Sequence, residues 1–275
     1  HIGTTTGGTP TDNPSRAITL ATVAKNDFVN MLVGGNIGYA DASVATASNG
    51  VVVLSSRDGN VPGSGNITIG PSRFNSTTIA AATGDLTLTA SGQTSRIDFG
   101  SGTNRSDFIG VAGGDVTINA VNGGSVVAFD NFAVQAGQNG VGGNLRVAID
   151  DAGRNDDSSI SGLLVAGNLT LSAAATGPSI GPVGGNATGG RIDIDVSQGG
   201  ELLVAGNTLI TAAATAGSGA LVSGNATGGE ITFNVSDPFS RVSLVGNTRF
   251  DVSANRSSVD VVNSGGRATA GSIEF

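Results

Sequence analysis

Four aspartates fall within eight residues, at Asp150, Asp151, Asp156 and Asp157. Hard cations such as calcium are held by several carboxylate and carbonyl oxygens, so this stretch is the candidate metal site of the chain. Its spacing follows neither the Asp-x-Asp-x-Asp-Gly loop nor the nonapeptide calcium repeat of secreted proteins. A solvated turn after a strand ending at Ile149 explains the same residues and is the weightier reading. A second pair, Asp193 and Asp195, stands two apart in Ile192-Asp-Ile-Asp-Val196 and would share one face of a strand. Glycosidases use two carboxyls about 5 to 9.5 Å apart, so this pair is the one arrangement suited to cleaving a polysaccharide. One repeat later the same positions hold Thr232 and Asn234. Lyase-type chemistry ordinarily needs a Lys, Arg or Tyr base, and Lys25 and Tyr39 are the only such residues besides arginines. With no cysteine and His1 as the sole histidine, a Ser-His-Asp triad, an imidazole metal cluster and a disulfide framework are all disfavoured. The expectation is a protein that is not an enzyme, with polysaccharide degradation ranked third among its functions.

Two other patterns carry weaker chemistry. Threonines alternate with apolar residues at Thr68, Thr87, Thr89 and Thr117. A flat threonine array can bind ice, but threonine also suits any wet strand face. Eight Asn-x-Ser/Thr sequons occur, at Asn66, Asn75, Asn104, Asn168, Asn186, Asn225, Asn234 and Asn255. In a chain this rich in Asn, Ser and Thr most arise by composition, and several lie in expected strands.

The elements that hold these residues are set by repetition. Leu163-Leu-Val-Ala-Gly-Asn168 recurs unchanged as Leu202-Leu-Val-Ala-Gly-Asn207, 39 residues on, and residues 163–201 and 202–240 share 21 identities. Gly185-Asn-Ala-Thr-Gly-Gly190 returns as Gly224-Asn-Ala-Thr-Gly-Gly229. A third, looser copy covers 241–275. Within each unit a glycine, often with Asn or Asp, precedes alternating apolar and polar residues, as in Gly84-Asp-Leu-Thr-Leu-Thr89 and Gly143-Asn-Leu-Arg-Val-Ala-Ile149. Period-two alternation is the pattern of a half-buried strand, and the glycine supplies a turn. No stretch has helical periodicity with capping residues.

The expected fold is all-β: a single-stranded parallel β-helix, or β-solenoid, expected to be right-handed. Steps of 16 to 23 residues between phrase-leading glycines suggest one coil per about 20 residues, hence 10–13 coils. At ~4.8 Å per coil the rod would be about 60 Å long. Residues 1–15, with Pro10 and Pro14, read as an irregular lead-in, and 16–275 as one continuous solenoid. Asn122-Gly-Gly124 and Asn139-Gly140 read as tight turns, and 177–189 and 217–228 as longer loops projecting from one side. Gly at 45 of 275 positions and only 12% charged residues would also suit disorder. The regular repeat argues against it.

The net charge is −8, which gives no electrostatic footprint for nucleic acid. No apolar run approaches the roughly 18 residues of a membrane-spanning helix.

The phrases Gly167-Asn-Leu-Thr-Leu-Ser-Ala173, Gly84-Asp-Leu-Thr-Leu-Thr-Ala90 and Gly184-Gly-Asn-Ala-Thr-Gly-Gly190 resemble the filamentous-haemagglutinin-type exoproteins of bacteria, over roughly residues 50–275. That resemblance implies a right-handed parallel β-helix secreted to the cell surface through an outer-membrane partner. It also implies an adhesive or fibre-forming role. The family's amino-terminal secretion domain carries Asn-Pro-Asn-Gly, whereas Asn13-Pro14-Ser15 does not match it. The chain is therefore expected to be an internal segment of the fibre, and no residue is carried over from that motif. The partners implied are a host or neighbouring-cell receptor or glycan, or further copies of the chain joined end to end. The expected location is the bacterial cell surface or the extracellular space.

Overall fold

A computed structural model describes residues 28–33, 37–39, 44–47, 51–57, 66–69, 76–81, 85–91, 96–99, 107–152, 161–179, 181–256 and 266–275. Among the described residues there is no helix, and so none long and apolar enough to cross a membrane. The expected lead-in, 1–15, lies outside them.

The strands form three main parallel sheets that the chain visits in rotation. The first contains, in order, Phe28–Val33, Val51–Arg57, Leu86–Ser91, Val116–Val121, Asn144–Asp150, Arg191–Ser197, Glu230–Val235 and Ser272–Glu274. The second runs through Ile37–Tyr39, Asn66–Ile69, Arg96–Phe99, Ser125–Ala128, Gly162–Val165, Glu201–Val204 and Arg241–Leu244. The third takes Val44–Ala47, Ser76–Ala81, Asp107–Ala112, Phe132–Gln138, Leu169–Ser172, Thr208–Thr211 and Thr248–Asp251. Nearly all pairing is parallel. The exception among the described strands is a hairpin in which Gln138 faces Val141 across Asn139-Gly140. There Asn139 and Gly140 have φ of 53° and 86°, the left-handed geometry expected of Asn-Gly.

Alternation decides what each strand buries. Ile192, Ile194 and Val196 are fully buried, while Asp193 and Asp195 between them face outward and are partly exposed. Leu86, Val116, Leu145, Ile192 and Ile231 are register partners in successive strands, and all five are fully buried. Removing a Leu or Ile side chain from water contributes roughly 1.5–3 kcal/mol, so each layer depends on the next for its stability. Phe99, Phe108 and Phe132 pack together in the core, with ring centroids 3.8 to 5.5 Å apart.

Two expectations are corrected. The spacing of about 20 residues is not a constant full return of the chain. Leu169–Ser172, led by Gly167, belongs to the third sheet, and Arg191–Ser197, led by Gly190, to the first. The phrase-leading glycines therefore mark more than one face, although Gly84, Gly114 and Gly143 all precede strands of the first sheet. A complete return varies from layer to layer: Phe28 faces Val51 and Phe108 faces Phe132, but Arg191 faces Glu230 and Leu145 faces Ile192. Among the described residues the longest of the three main stacks holds eight strands, against the 10–13 coils expected. Stacked ~4.8 Å apart, eight strands span about 35 Å.

The second correction concerns 177–189 and 217–228. These are not free loops. Ala175–Thr176, Ala214–Thr215 and Ala254–Asn255 stack as a small parallel sheet, and Ala187–Thr188, Ala226–Thr227 and Ala268–Thr269 stack opposite. Between them lies a separate apolar column of Ala175, Ala187, Ala214, Ala216 and Ala226. Alanine's small side chain lets the two strand stacks approach closely. Each 39-residue unit thus contributes five strands, one to every stack.

Candidate functional site

The acidic candidate lies where the chain turns from the first sheet to the second. In the layer before it, this corner is closed by Asn122-Gly-Gly124, with φ of 54° at Asn122 and 85° at Gly123. In the layer after it, Gln198-Gly-Gly200 makes the same turn, with φ of 51° and 87° at its first two residues. The intervening layer instead spends residues 151 to 161 on the corner.

Ser161 is fully buried there. Its Oγ accepts the Gly123 N–H at 2.7 Å and donates to Asp151 Oδ1 at 3.2 Å. Asp151 is only 2% exposed, and its Oδ2 is buried with no hydrogen-bond partner. The Oδ1 of the adjacent Asp150 accepts the Ala152 N–H at 2.7 Å. Asp156 and Asp157 lie outside the described residues. Among the described residues, no group of three or more acidic, cysteine or histidine side chains is gathered for a metal.

The corner recurs one layer beyond the Gln198 turn. There Ser240 Oγ accepts the Gly199 N–H at 3.2 Å and donates to Asp237 Oδ2 at 2.5 Å. Asp237 Oδ1 also accepts the Phe239 and Ser240 N–H groups, at 2.8 and 3.0 Å. The Ser240 hydroxyl, ahead of these backbone donors, holds the Asp237 carboxyl below the usual carboxylate range. Both corners pair an aspartate with a serine that caps the turn beneath. Only Asp151 keeps an oxygen idle.

The Asp193–Asp195 pair sits on the outer face of the first sheet and is already engaged. Arg191 Nε lies 2.8 Å from each Asp193 carboxylate oxygen, and Arg191 Nη1 lies 3.5 Å from Glu230. Asp193, through hydrogen bond and charge together, raises the pKa of the Arg191 guanidinium. Asp195 Oδ1 accepts from Asn234 Nδ2 at 3.4 Å. Beside this row runs a groove of about 610 Å³, lined by Gly142, Asn144, Gly190, Arg191, Gly229 and Glu230. Its glycine floor follows from backbone approach. A Cβ on Gly190 would lie 2.0 Å from Gly143 O, and one on Gly229 would lie 1.9 Å from Gly190 O. The threonine row is present as Thr87 beside Thr117, and Asn119 Nδ2 donates to Thr89 Oγ1 at 3.1 Å.

Several sequon asparagines belong to ladders that clamp the turns. The Asn168 N–H donates to Asn131 Oδ1, that of Asn207 to Asn168 Oδ1, and that of Asn247 to Asn207 Oδ1, at 2.8, 2.8 and 3.0 Å. A second ladder links the Asn225 N–H to Asn186 Oδ1 at 2.8 Å.

One surface was missed in the sequence. The outer face of the second sheet is apolar, with Val127, Leu164 and Leu203 in register. A trough of about 350 Å³ runs along it, bordered by Ala166, Ala205 and the exposed Val245. Its signal was the unbroken Leu163-Leu-Val165 and Leu202-Leu-Val204, where strict alternation would put a polar residue in the middle.

No protein-family model, curated protein or solved structure matches the chain.

Proposed function

We propose that the chain is a parallel β-helix, wound right-handed as parallel crossovers overwhelmingly are, and that it is a structural or adhesive segment of a secreted bacterial surface fibre. Its work is to hold a shape. Stacked layers present a face, or a further domain, away from the cell to a receptor or glycan. The observation that carries this reading is the rotation through three parallel sheets, continued by 39-residue units that add the same five strands each time. Such a stack grows along one axis by addition of like units, which is what a spacer or fibre needs. Electron microscopy of the native material tests it, with labelling by antibodies against this chain. Labelled rods or fibres at the cell surface are expected, and labelling confined to the cytoplasm overturns the reading.

A second reading is a filament built from copies stacked end to end. Every layer of the main stacks pairs with the next in parallel register, and strand edges of this kind are templates for further pairing. In sedimentation over a concentration series, filaments lengthen with concentration. A monomer at every concentration removes this reading.

A further inference from the structure

We propose that copies of the chain associate side by side, the apolar tip of one copy's alanine column seating in the trough on the second sheet of the next. This goes beyond the end-to-end filament and does not depend on an adhesive role. The tip forms where the chain crosses from Ala175–Thr176 to Ala187–Thr188, and again from Ala214–Thr215 to Ala226–Thr227. Val183 and Leu221 are each 58% exposed there, and Val222 is 37% exposed. Backbone bonds hold them in place. Val183 and Val222 form a parallel bridge. The Leu221 and Val222 N–H groups donate to Pro182 O at 2.8 and 3.1 Å, and the Gly184 N–H donates to Val222 O at 2.7 Å. A projection already fixed in shape loses little freedom on docking.

Position, spacing and charge together select a second copy as the occupant of the trough. All three sheets enclose one core, in which Ile192 of the first, Leu202 of the second and Ile210 of the third belong to the same cluster. The alanine column leaves the chain between the third sheet and the first. It therefore lies on the side of the core opposite the second sheet, whose outer face carries Val127, Leu164 and Leu203 along the trough. A sideways shift of one copy brings tip to trough with the two stacks parallel. The spacing also matches. Leu164 and Leu203 are register partners 39 residues apart, and so are Val183 and Val222. Tip and trough occupy the same two layers and rise by the same step of ~4.8 Å, so contacts in both layers form at once. The net charge of −8 opposes the meeting of copies, but residues 175–190 and 214–229 contain no charged side chain. Of the residues lining the trough, Arg241 alone is charged. The outer face of the first sheet, by contrast, carries Arg191, Asp193, Asp195 and Glu230. Depletion of charge at the centre is what marks a protein interface. Because tip and trough are different surfaces, the contact is heterologous and does not close, so copies extend into a lateral row.

The native chain has no cysteine, so introduced cysteines report the contact. Leu221→Cys at the tip and Ala205→Cys at the trough both replace exposed residues. Thr117→Cys, on the outer face of the first sheet, is the control. A disulfide needs Cβ atoms about 3.5–4.5 Å apart, so it forms only at close contact. Under a mild oxidant, the mixture of tip and trough variants is expected to cross-link at least tenfold faster than either alone or either with the control. A chain carrying both cysteines is expected to give a ladder of dimers, trimers and longer products. In the cysteine-free chain the sedimentation coefficient is expected to rise with concentration. Leu221→Asp is expected to abolish that rise while the far-ultraviolet circular dichroism keeps its β signature. The proposal is overturned if Ala205→Cys alone cross-links as fast as the mixture, which would place trough against trough. A mixture no faster than the control overturns it too. So does a Leu221→Asp chain that sediments like the wild type at every concentration, a result that leaves end-to-end stacking intact.

Discussion

Thr208 occupies a core position that Leu169 fills one layer earlier. It is 2% exposed, and its hydroxyl has no partner. A buried hydroxyl without a hydrogen bond costs roughly 1–3 kcal/mol, and valine has nearly the same shape. Thr208→Val is therefore expected to stabilise the fold by about 1 kcal/mol, read as a higher denaturant midpoint with an unchanged slope. Gly229 is the opposite case. Its Cβ would lie 1.9 Å from a backbone oxygen, which cannot rotate away as a side chain can. Gly229→Ala is expected to destabilise by about 2–4 kcal/mol, because the layers must separate to admit one methyl group. Asp237 gives a pH dependence with a definite sign. Its folded pKa is depressed below the ordinary value of about 3.9, so its contribution is present above that pH. The contribution is lost as pH falls through the depressed pKa. Asp251 adds in the same direction, held low chiefly by the Ser253 N–H and hydroxyl. Amide exchange should thus rise first in the layers of 236–255 on acidification below pH about 4. In Asp237→Asn that acid sensitivity should be reduced.

Turns and ladders, more than strands, distinguish one layer from another. The strands obey a rule visible in their own residues, since Ile192-Asp-Ile-Asp-Val196 can place its apolar residues only on one side. The turns depend on neighbours 39 residues away. Asn207 accepts the Asn247 N–H at 3.0 Å and passes its own N–H to Asn168 Oδ1. Asn207→Ala removes one acceptor and should cost about 0.5–1.5 kcal/mol, measured by denaturant unfolding. The apolar outer row of Leu164 and Leu203 shows where a local rule misleads. Leu163-Leu-Val165 reads as a strand buried on both faces, yet the middle leucine lines an open trough. Similarly, the Gly/Ser/Pro-rich 177–189 and 217–228 read as loops from composition. Their alanines find partners only when successive units are stacked.

For the whole molecule, the important property is that layers are interchangeable in register. Glu201 and Arg241 are partners in adjacent strands, so the chain stands at the same point of the stack at both positions. Deleting 201–240 should leave a folded chain shorter by one layer, about 5 Å along the stacking axis, measurable by small-angle scattering. Unfolding should remain cooperative, with the midpoint lowered by one layer's share, because each layer contacts only its neighbours. Collapse of the remaining layers on this deletion would mean that the stack is not a sum of like units.

The sequence alone determined the repeat, the alternating strands and the residues that face inward. These are properties of a few neighbouring residues, set by the two-residue period of an extended chain and by glycine at the turns. It also singled out Asp150 and Asp151, though not what distinguishes them. Only the tertiary structure decided that consecutive strands occupy different sheets, so that the length of a full return differs from layer to layer. It alone showed alanines forming a second column, and Asp151 Oδ2 buried without a hydrogen-bond partner. Those outcomes depend on which backbone lies one layer above or below. That is fixed by long-range register, which no local pattern contains.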